Sequence, residues 1–150
     1  MKAIKVIKPG HAEVQEVPIP KLRPDHVLVK VEAVALNPAD WKSLDSLSMP
    51  GSTCSNDLAG VIVEVGLEVK AHLKKGDHIA GFSHACNFLE SEDGASGDYA
   101  LVIGDVAIKL PDSLISEEAA TMGVAVATIG LGLYQKLGLA LPDQRTEEHE

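Results

Sequence analysis

Hydrophobic and polar positions alternate most clearly from His26 to Leu36, HVLVKVEAVAL. Val27, Val29, Val31, Ala33 and Ala35 share one face; Lys30 and Glu32 share the other with Leu28 and Val34. A period of two predicts a half-buried strand. Asn37-Pro38 ends it, because proline cannot extend a ladder. Leu58 to Val65 is apolar almost without interruption and rich in Val and Ile, which predicts a buried strand closed by Gly66. His78 to Phe82 predicts the next, after the Gly76-Asp77 turn. Met1–Lys8 and Ala12–Val17 flank Pro9-Gly10 and predict an opening hairpin. Asp98–Val102 and Val106–Leu110 add two short strands. Many short strands separated by Gly and Pro turns point to a small barrel or sandwich.

Three stretches read as helices. Ala39 to Leu47 follows Pro38, whose missing N–H suits a helix start. Ser116 precedes Glu117 and Glu118, the pattern of an N-cap with acids in the first turn. Val124 to Leu137 ends before Gly138, a natural C′ residue. This last helix is apolar or small all round, so it must be buried on every side or leave an apolar face uncovered. Its Gly130 and Gly132 each weaken a helix by about 1 kcal/mol. Close approach of another backbone or of a ligand is the expected reason for them.

Composition narrows the partners. The chain has 150 residues, enough for one domain with a core. Its net charge of -9 excludes a nucleic-acid partner, since phosphate binding needs clustered Lys and Arg. The uncharged run Ala119 to Gln135 falls short of the roughly 20 residues of a membrane span. Cys54 and Cys86 are too few for a disulfide framework, and MKAIKVIKPG lacks a secretory core. A cytoplasmic protein with reduced thiols is therefore expected. Residues 143–150, DQRTEEHE, have no periodicity and predict a disordered acidic tail.

Two segments can carry chemistry. Asn37-Pro38-Ala39-Asp40-Trp41-Lys42 sits where a strand turns into a helix, a junction that exposes backbone donors. Lys42 can offer a positive charge to a phosphate or to a developing enolate. The residues alone equally allow a plain helix start with a packed Trp41 and a solvated Lys42. Thr128 begins TIGLGLYQKLGL, which by itself reads as core packing with a satisfied hydroxyl.

The spacing G-V-x-V-x-V-G from Gly60, followed by K-x-G-D-x-I-A-G-F ending at Phe82, resembles the GroES-like N-terminal domain of the medium-chain dehydrogenase/reductase superfamily. N-P-x-D-W-K after A-x-L, with GLYQKLGL later, is similar to zinc-independent quinone-oxidoreductase-like enzymes and to fungal trans-acting enoyl reductases. The resemblance covers about residues 1 to 142. It implies a mainly β fold with short helices: a GroES-like, partly open β-barrel at 1–122 and a linker helix region at 123–142, leading to a Rossmann domain absent from the chain. No G-x-G-x-x-G occurs in the sequence.

The implied activity is NADPH-dependent reduction of an α,β-unsaturated thioester or ketone in a secondary-metabolite polyketide pathway. The resemblance makes Lys42 catalytic and places Asn37, Ala39, Asp40, Trp41, Lys42 and Thr128 at the cofactor. It places Ile129, Gly130, Leu131, Gly132, Leu133, Tyr134, Gln135 and Lys136 along the substrate pocket. Partners would be a small-molecule or carrier-bound acyl substrate and a polyketide synthase or full-length homologue. Without the glycine-rich turn, NADPH binding by this chain alone is expected to be weak or absent. The alternative is a non-catalytic remnant or protein-binding module derived from such an enzyme.

Zinc alcohol dehydrogenases of the superfamily place a cysteine after the first long strand and a His-Glu pair before the central one. Asn37 and Asn56-Asp57 stand there, and the four-cysteine lobe is missing, so no metal is expected. Two further departures are Ser96, where G-A-F-A-E-Y carries an aromatic, and Ser55, where glycine is common. Ser96 is expected to weaken the core near the cleft.

Overall fold

The computed structural model describes residues 1–47 and 49–143. From residue 144 on, the expected acidic tail lies outside them. Seven strands and three short α-helices follow the hydrophobic pattern closely. Strand β1 (Lys2–Lys8) pairs antiparallel with β2 (His11–Glu16). Strands β3 (His26–Ala35), β4 (Asp57–Val65), β5 (His78–Phe82), β6 (Tyr99–Ile103) and β7 (Ile108–Lys109) form a second sheet in the order β6-β3-β4-β5-β7. Every neighbouring pair in it is antiparallel. The sheet ends at β6 and β7 without closing. The hairpin is tied to it through bridges from Ala3 to Gly97 and from Lys5 to Thr53.

The unbroken apolar run of β4 has a direct cause: both faces of the strand are covered. Leu58 and Ile62 enter one cluster with Val27, Val29, Ile79 and Val102. Ala59 enters another with Ala80, Leu110, Ala119 and Ala120, under helix α2 (Ser116–Ala119). Fully burying one Leu or Ile contributes about 1.5–3 kcal/mol. In β3, Lys30 and Glu32 stay exposed, in keeping with the alternation.

Three local expectations change. The last strand shortens to Ile108–Lys109, because residues Gly104–Val106 form a 3₁₀ turn. Ser116 is not a cap: Ile115 holds that position, and the Ser116 hydroxyl donates to Glu32 Oε2 at 2.6 Å. The terminal helix starts as α3 (Gly123–Ile129) and continues as a π-helical stretch over Gly130–Lys136. Gly138 then adopts φ +67°, and the Leu139 N–H returns to the Leu133 carbonyl at 3.1 Å. Added Cβ atoms on Gly130 and Gly132 would meet nothing within 4 Å, so among the described residues no backbone approaches them. Val126, Ile129, Leu131, Leu133 and Leu137 are exposed, which leaves an apolar face uncovered. Among the described residues no helix is long and apolar enough to cross a membrane.

Candidate functional site

Helix α1 (Pro38–Ser46) begins where β3 ends, with Pro38 in its first turn and Asn37 before it. Asp40 locks that start. Its Oδ2 accepts the Asn37 N–H at 2.6 Å. Its Oδ1 accepts the Asn56 N–H at 3.1 Å and the Asn56 side-chain amide at 2.6 Å. Asn56 in turn accepts the Ala85 N–H on Oδ1 at 3.2 Å. The junction is therefore held to the entrance of β4 and to the loop after β5.

A second carboxylate joins this junction to α3. Asp57 is 1% exposed. Its Oδ2 accepts the Asn37 side-chain amide at 2.9 Å, and its Oδ1 accepts the Val124 N–H at 2.6 Å. Gly123 makes the approach possible: a Cβ there would lie 2.5 Å from Asp57 Oδ1 and 2.6 Å from the Gly81 carbonyl oxygen. Burial pushes the Asp57 carboxyl above the usual range, the Asn37 and Val124 donors pull it back, and the Asp40 charge pushes the same way as burial. Asn37, Asp40, Asn56 and Asp57 thus form one polar knot. Among the described residues no group of three or more His, Cys, Asp or Glu is placed to hold a metal ion.

The knot presents the sequence-predicted residues in two ways. Asn37 and Asp40 are bonded within it. Ala39, Trp41 and Lys42 are exposed on the first turns of α1. Trp41 does not pack into the core; it is 58% exposed, with the Lys42 ammonium 5.7 Å from its ring centroid. Lys42 makes no ion pair among the described residues. Thr128 lies one turn beyond Val124 on the same helix face and is exposed. Ile129, Leu131, Leu133, Gln135 and Lys136 are exposed, and Gly130, Gly132 and Tyr134 are half-buried. Asp57 ties Asn37 to the turn that carries Thr128; the 129–136 stretch extends away along an open surface.

Cavities adjoin this region on more than one side. A groove of about 400 Å³ is lined by Ile4, Val14, Val34 and Leu36, the residue before Asn37. A smaller one of about 220 Å³ lies against Phe82, Gly123, Val126 and Ala127. Residues 129–136 line neither.

Asn56 and Asp57 are the site residues that pattern reading passes over, because it treats them only as missing metal ligands. The available signal was an acid at the head of a fully buried strand, which needs buried partners. The two departures also meet each other. Ser55 has φ +62° and is buried, and the Ser96 hydroxyl donates to the Ser55 oxygen at 2.6 Å. The serine that replaces the aromatic is partnered rather than a void.

The sequence matches the Alcohol dehydrogenase GroES-like domain family over residues 23–112. It is 46% identical over 142 residues to Trans-enoyl reductase TOXD of Cochliobolus carbonum, covering 94% of this chain and 48% of that protein. The chain spans about half the length of the curated relatives it matches. An alcohol dehydrogenase superfamily protein from Novosphingobium aromaticivorans superposes with TM-score 0.80 at 25% identity, covering 93% of this chain and 43% of that one. The Escherichia coli quinone oxidoreductase, solved in complex with NADPH, shares the fold with TM-score 0.72 at 24% identity, over 91% of this chain and 41% of that one. With its open β-sheet fold and its match over residues 23–112, the chain belongs to the alcohol dehydrogenase GroES-like domain family.

Proposed function

We propose that this chain forms the substrate-side half of an NADPH-dependent enoyl reductase acting on an α,β-unsaturated thioester or ketone. The observation that carries the reading is the Asn37–Asp57–Val124 link, which fixes the Lys42 helix and the Thr128 helix to one buried carboxylate. The identity to a trans-enoyl reductase supports the reaction, and the NADPH-bound quinone oxidoreductase supports the cofactor.

The residues fit one end of such a cofactor. The exposed ammonium of Lys42, beside the Trp41 ring, and the exposed hydroxyl of Thr128 are donors suited to a phosphate, an amide or a carbonyl oxygen. When bound, NADPH supplies the hydride that adds to the β-carbon of the alkene. Lys42 then stabilises the negative charge that develops on the carbonyl oxygen. Thr128 orients the nicotinamide or the carbonyl through its hydroxyl. Asp40 and Asp57 keep both helices in place without touching substrate. The family's grip on the cofactor pyrophosphate uses a glycine-rich turn, which these 150 residues do not contain.

The test is a chimera of residues 1–142 with the remaining half of the Cochliobolus carbonum relative. It should reduce an enoyl thioester with NADPH. Lys42→Ala should lower kcat/KM by about 10²-fold, the order of one lost charge-stabilising donor. Lys75→Ala, in an exposed turn, should leave it unchanged. Equal effects of the two substitutions would remove Lys42 from the site. A chimera that binds NADPH without turnover would favour a non-catalytic module.

A further inference from the structure

Directly behind the knot lie the two cysteines. Neither takes part in the site described above. Cys54 is half-buried and Cys86 is buried. Their backbones are fastened in one patch. The Cys86 N–H donates to the Thr53 carbonyl at 2.9 Å, and the Ser96 N–H donates to the Cys54 carbonyl at 3.0 Å. The Ser83 N–H donates to the Asn56 carbonyl at 2.8 Å, and the Ala85 N–H to the Asn56 side chain, so the two segments run together for several residues. Cys86 itself is held at φ +55°, an uncommon conformation for a side chain other than glycine or asparagine. With its backbone bonded to the carbonyl next to Cys54, Cys86 sits where each thiol acts on the ionisation of the other, Cys86 favouring the Cys54 thiolate as a donor.

We propose that Cys54 and Cys86 are a thiol pair that closes into an intramolecular disulfide on exposure to a low-molecular-weight disulfide such as oxidised glutathione. Two features give the cysteines different parts. The hydrogen bond from Cys86 favours the Cys54 thiolate against the opposing effects of burial and the Asp40 charge, and the Lys5 ammonium adds to the favourable side. Lys5 is itself buried and fixed beside the pair, donating to Thr53 Oγ1 at 2.9 Å and to the Ser91 carbonyl at 2.8 Å. Cys86, donating to Cys54 and enclosed, stays protonated well above the ordinary thiol range. The thiolate is the nucleophile in disulfide exchange.

The steps balance. The Cys54 thiolate attacks one sulfur of oxidised glutathione, forms a mixed disulfide and expels one glutathione thiolate. Cys86 then loses its proton and attacks the Cys54 sulfur, expelling the second glutathione. Two protein thiols are oxidised to one disulfide, and one glutathione disulfide is reduced to two glutathiones. Oxidation crosslinks the segment carrying Asn56, which bonds Asp40, to the segment carrying Ala85, which bonds Asn56. A cytosolic disulfide of this kind is transient and redox-responsive rather than structural.

The test exposes the full chain to oxidised glutathione and follows free thiols and intact mass. Wild type should lose both thiols and two hydrogens, with no glutathione retained and no crosslinked dimer. Cys86→Ser should stop as a stable glutathione adduct on Cys54. Cys54→Ser should react at least about tenfold more slowly, because the remaining thiol is buried and protonated. Circular dichroism verifies that each variant is folded, and Cys86→Ala replaces Cys86→Ser if the serine disturbs the loop. A wild-type protein that keeps glutathione, forms an intermolecular dimer, or retains both thiols where Cys86→Ser is modified would overturn the proposal.

Discussion

The entrance of β4 and the helix that leaves it are built on opposite principles. At the entrance, Asn37, Asp40, Asn56 and Asp57 exchange hydrogen bonds at 2.6–3.1 Å, and the adjoining Gly123 has no room for a Cβ. Over 129–136 the chain is mostly apolar and largely exposed, with open space beside Gly130 and Gly132. The first region has one arrangement, because a buried polar group that loses its partner costs about 1–3 kcal/mol. The second buries none of its residues fully, and it adopts a π-helical path, an uncommon conformation that often marks functional sites. The two meet at Gly123-Val124. Polar order at this site lies on the sheet side, and the outgoing helix is fastened to it at Gly123-Val124 by Asp57 and by packing against the Gly81 backbone.

Glycines test the contrast most sharply. Gly123→Ala should destabilise the chain by about 3 kcal/mol, the upper end for overpacking, because its Cβ would strike Asp57 and the Gly81 backbone. Gly130→Ala should instead stabilise by about 0.4–1 kcal/mol, because φ is already -57° there and the new methyl meets nothing. Denaturant unfolding measures both. Destabilisation of similar size at the two positions would mean that the π-helical stretch is as tightly packed as the knot.

Much of this was legible in the chain. Period-two alternation in HVLVKVEAVAL and the unbroken run after Asp57 give β3 and β4 to within a residue. Asn37-Pro38 marks the start of α1, and Gly138 the end of the last helix, since both act through local backbone chemistry. The pairing of Ser96 with Ser55, 41 residues apart, was not legible, nor was the reach of Asp57 to Val124 across 67 residues. Side-chain partners at that separation leave no periodic trace. Ser116 misled for the same reason: its partner is Glu32 across the sheet, not its own helix.

A smaller effect separates the two arms of the Asp57 carboxylate. Asn37→Ala should cost about 1–2 kcal/mol, since Asp57 Oδ2 loses its donor in a buried setting. Asp57→Ala should cost a similar amount by freeing both the Asn37 amide and the Val124 N–H. The double variant should be less destabilised than the sum, with a coupling of about 0.5 kcal/mol or more for residues in direct contact. Hydrogen exchange should divide the arms further. Asp57→Ala should speed exchange at Val124, and Asn37→Ala should leave it slow. Strict additivity would show that the knot is a set of independent bonds.

The finest test uses protons. Asp57 is raised above the usual carboxylate range, chiefly by burial, so the folded chain binds its proton more readily than the unfolded chain does. The sign follows from linkage. The stabilisation tied to this proton is fully present below the unfolded value, near pH 4, and is lost as pH rises through the higher folded value. Groups with the opposite shift obscure it in wild type alone. Glu32 is lowered by its bonds to Ser116 and His78, so its contribution fades as pH falls. The Asp40 charge also acts on Asp57. The comparison therefore sets wild type against Asp57→Asn, which keeps the shape and lacks the proton, at several pH values from the carboxylate range to neutrality. The stability advantage of wild type should be greatest at the acid end and shrink toward neutral pH. An advantage that grows with pH would mean that the Asn37 and Val124 donors outweigh burial, making Asp57 a stabilised anion and the knot a charged clamp.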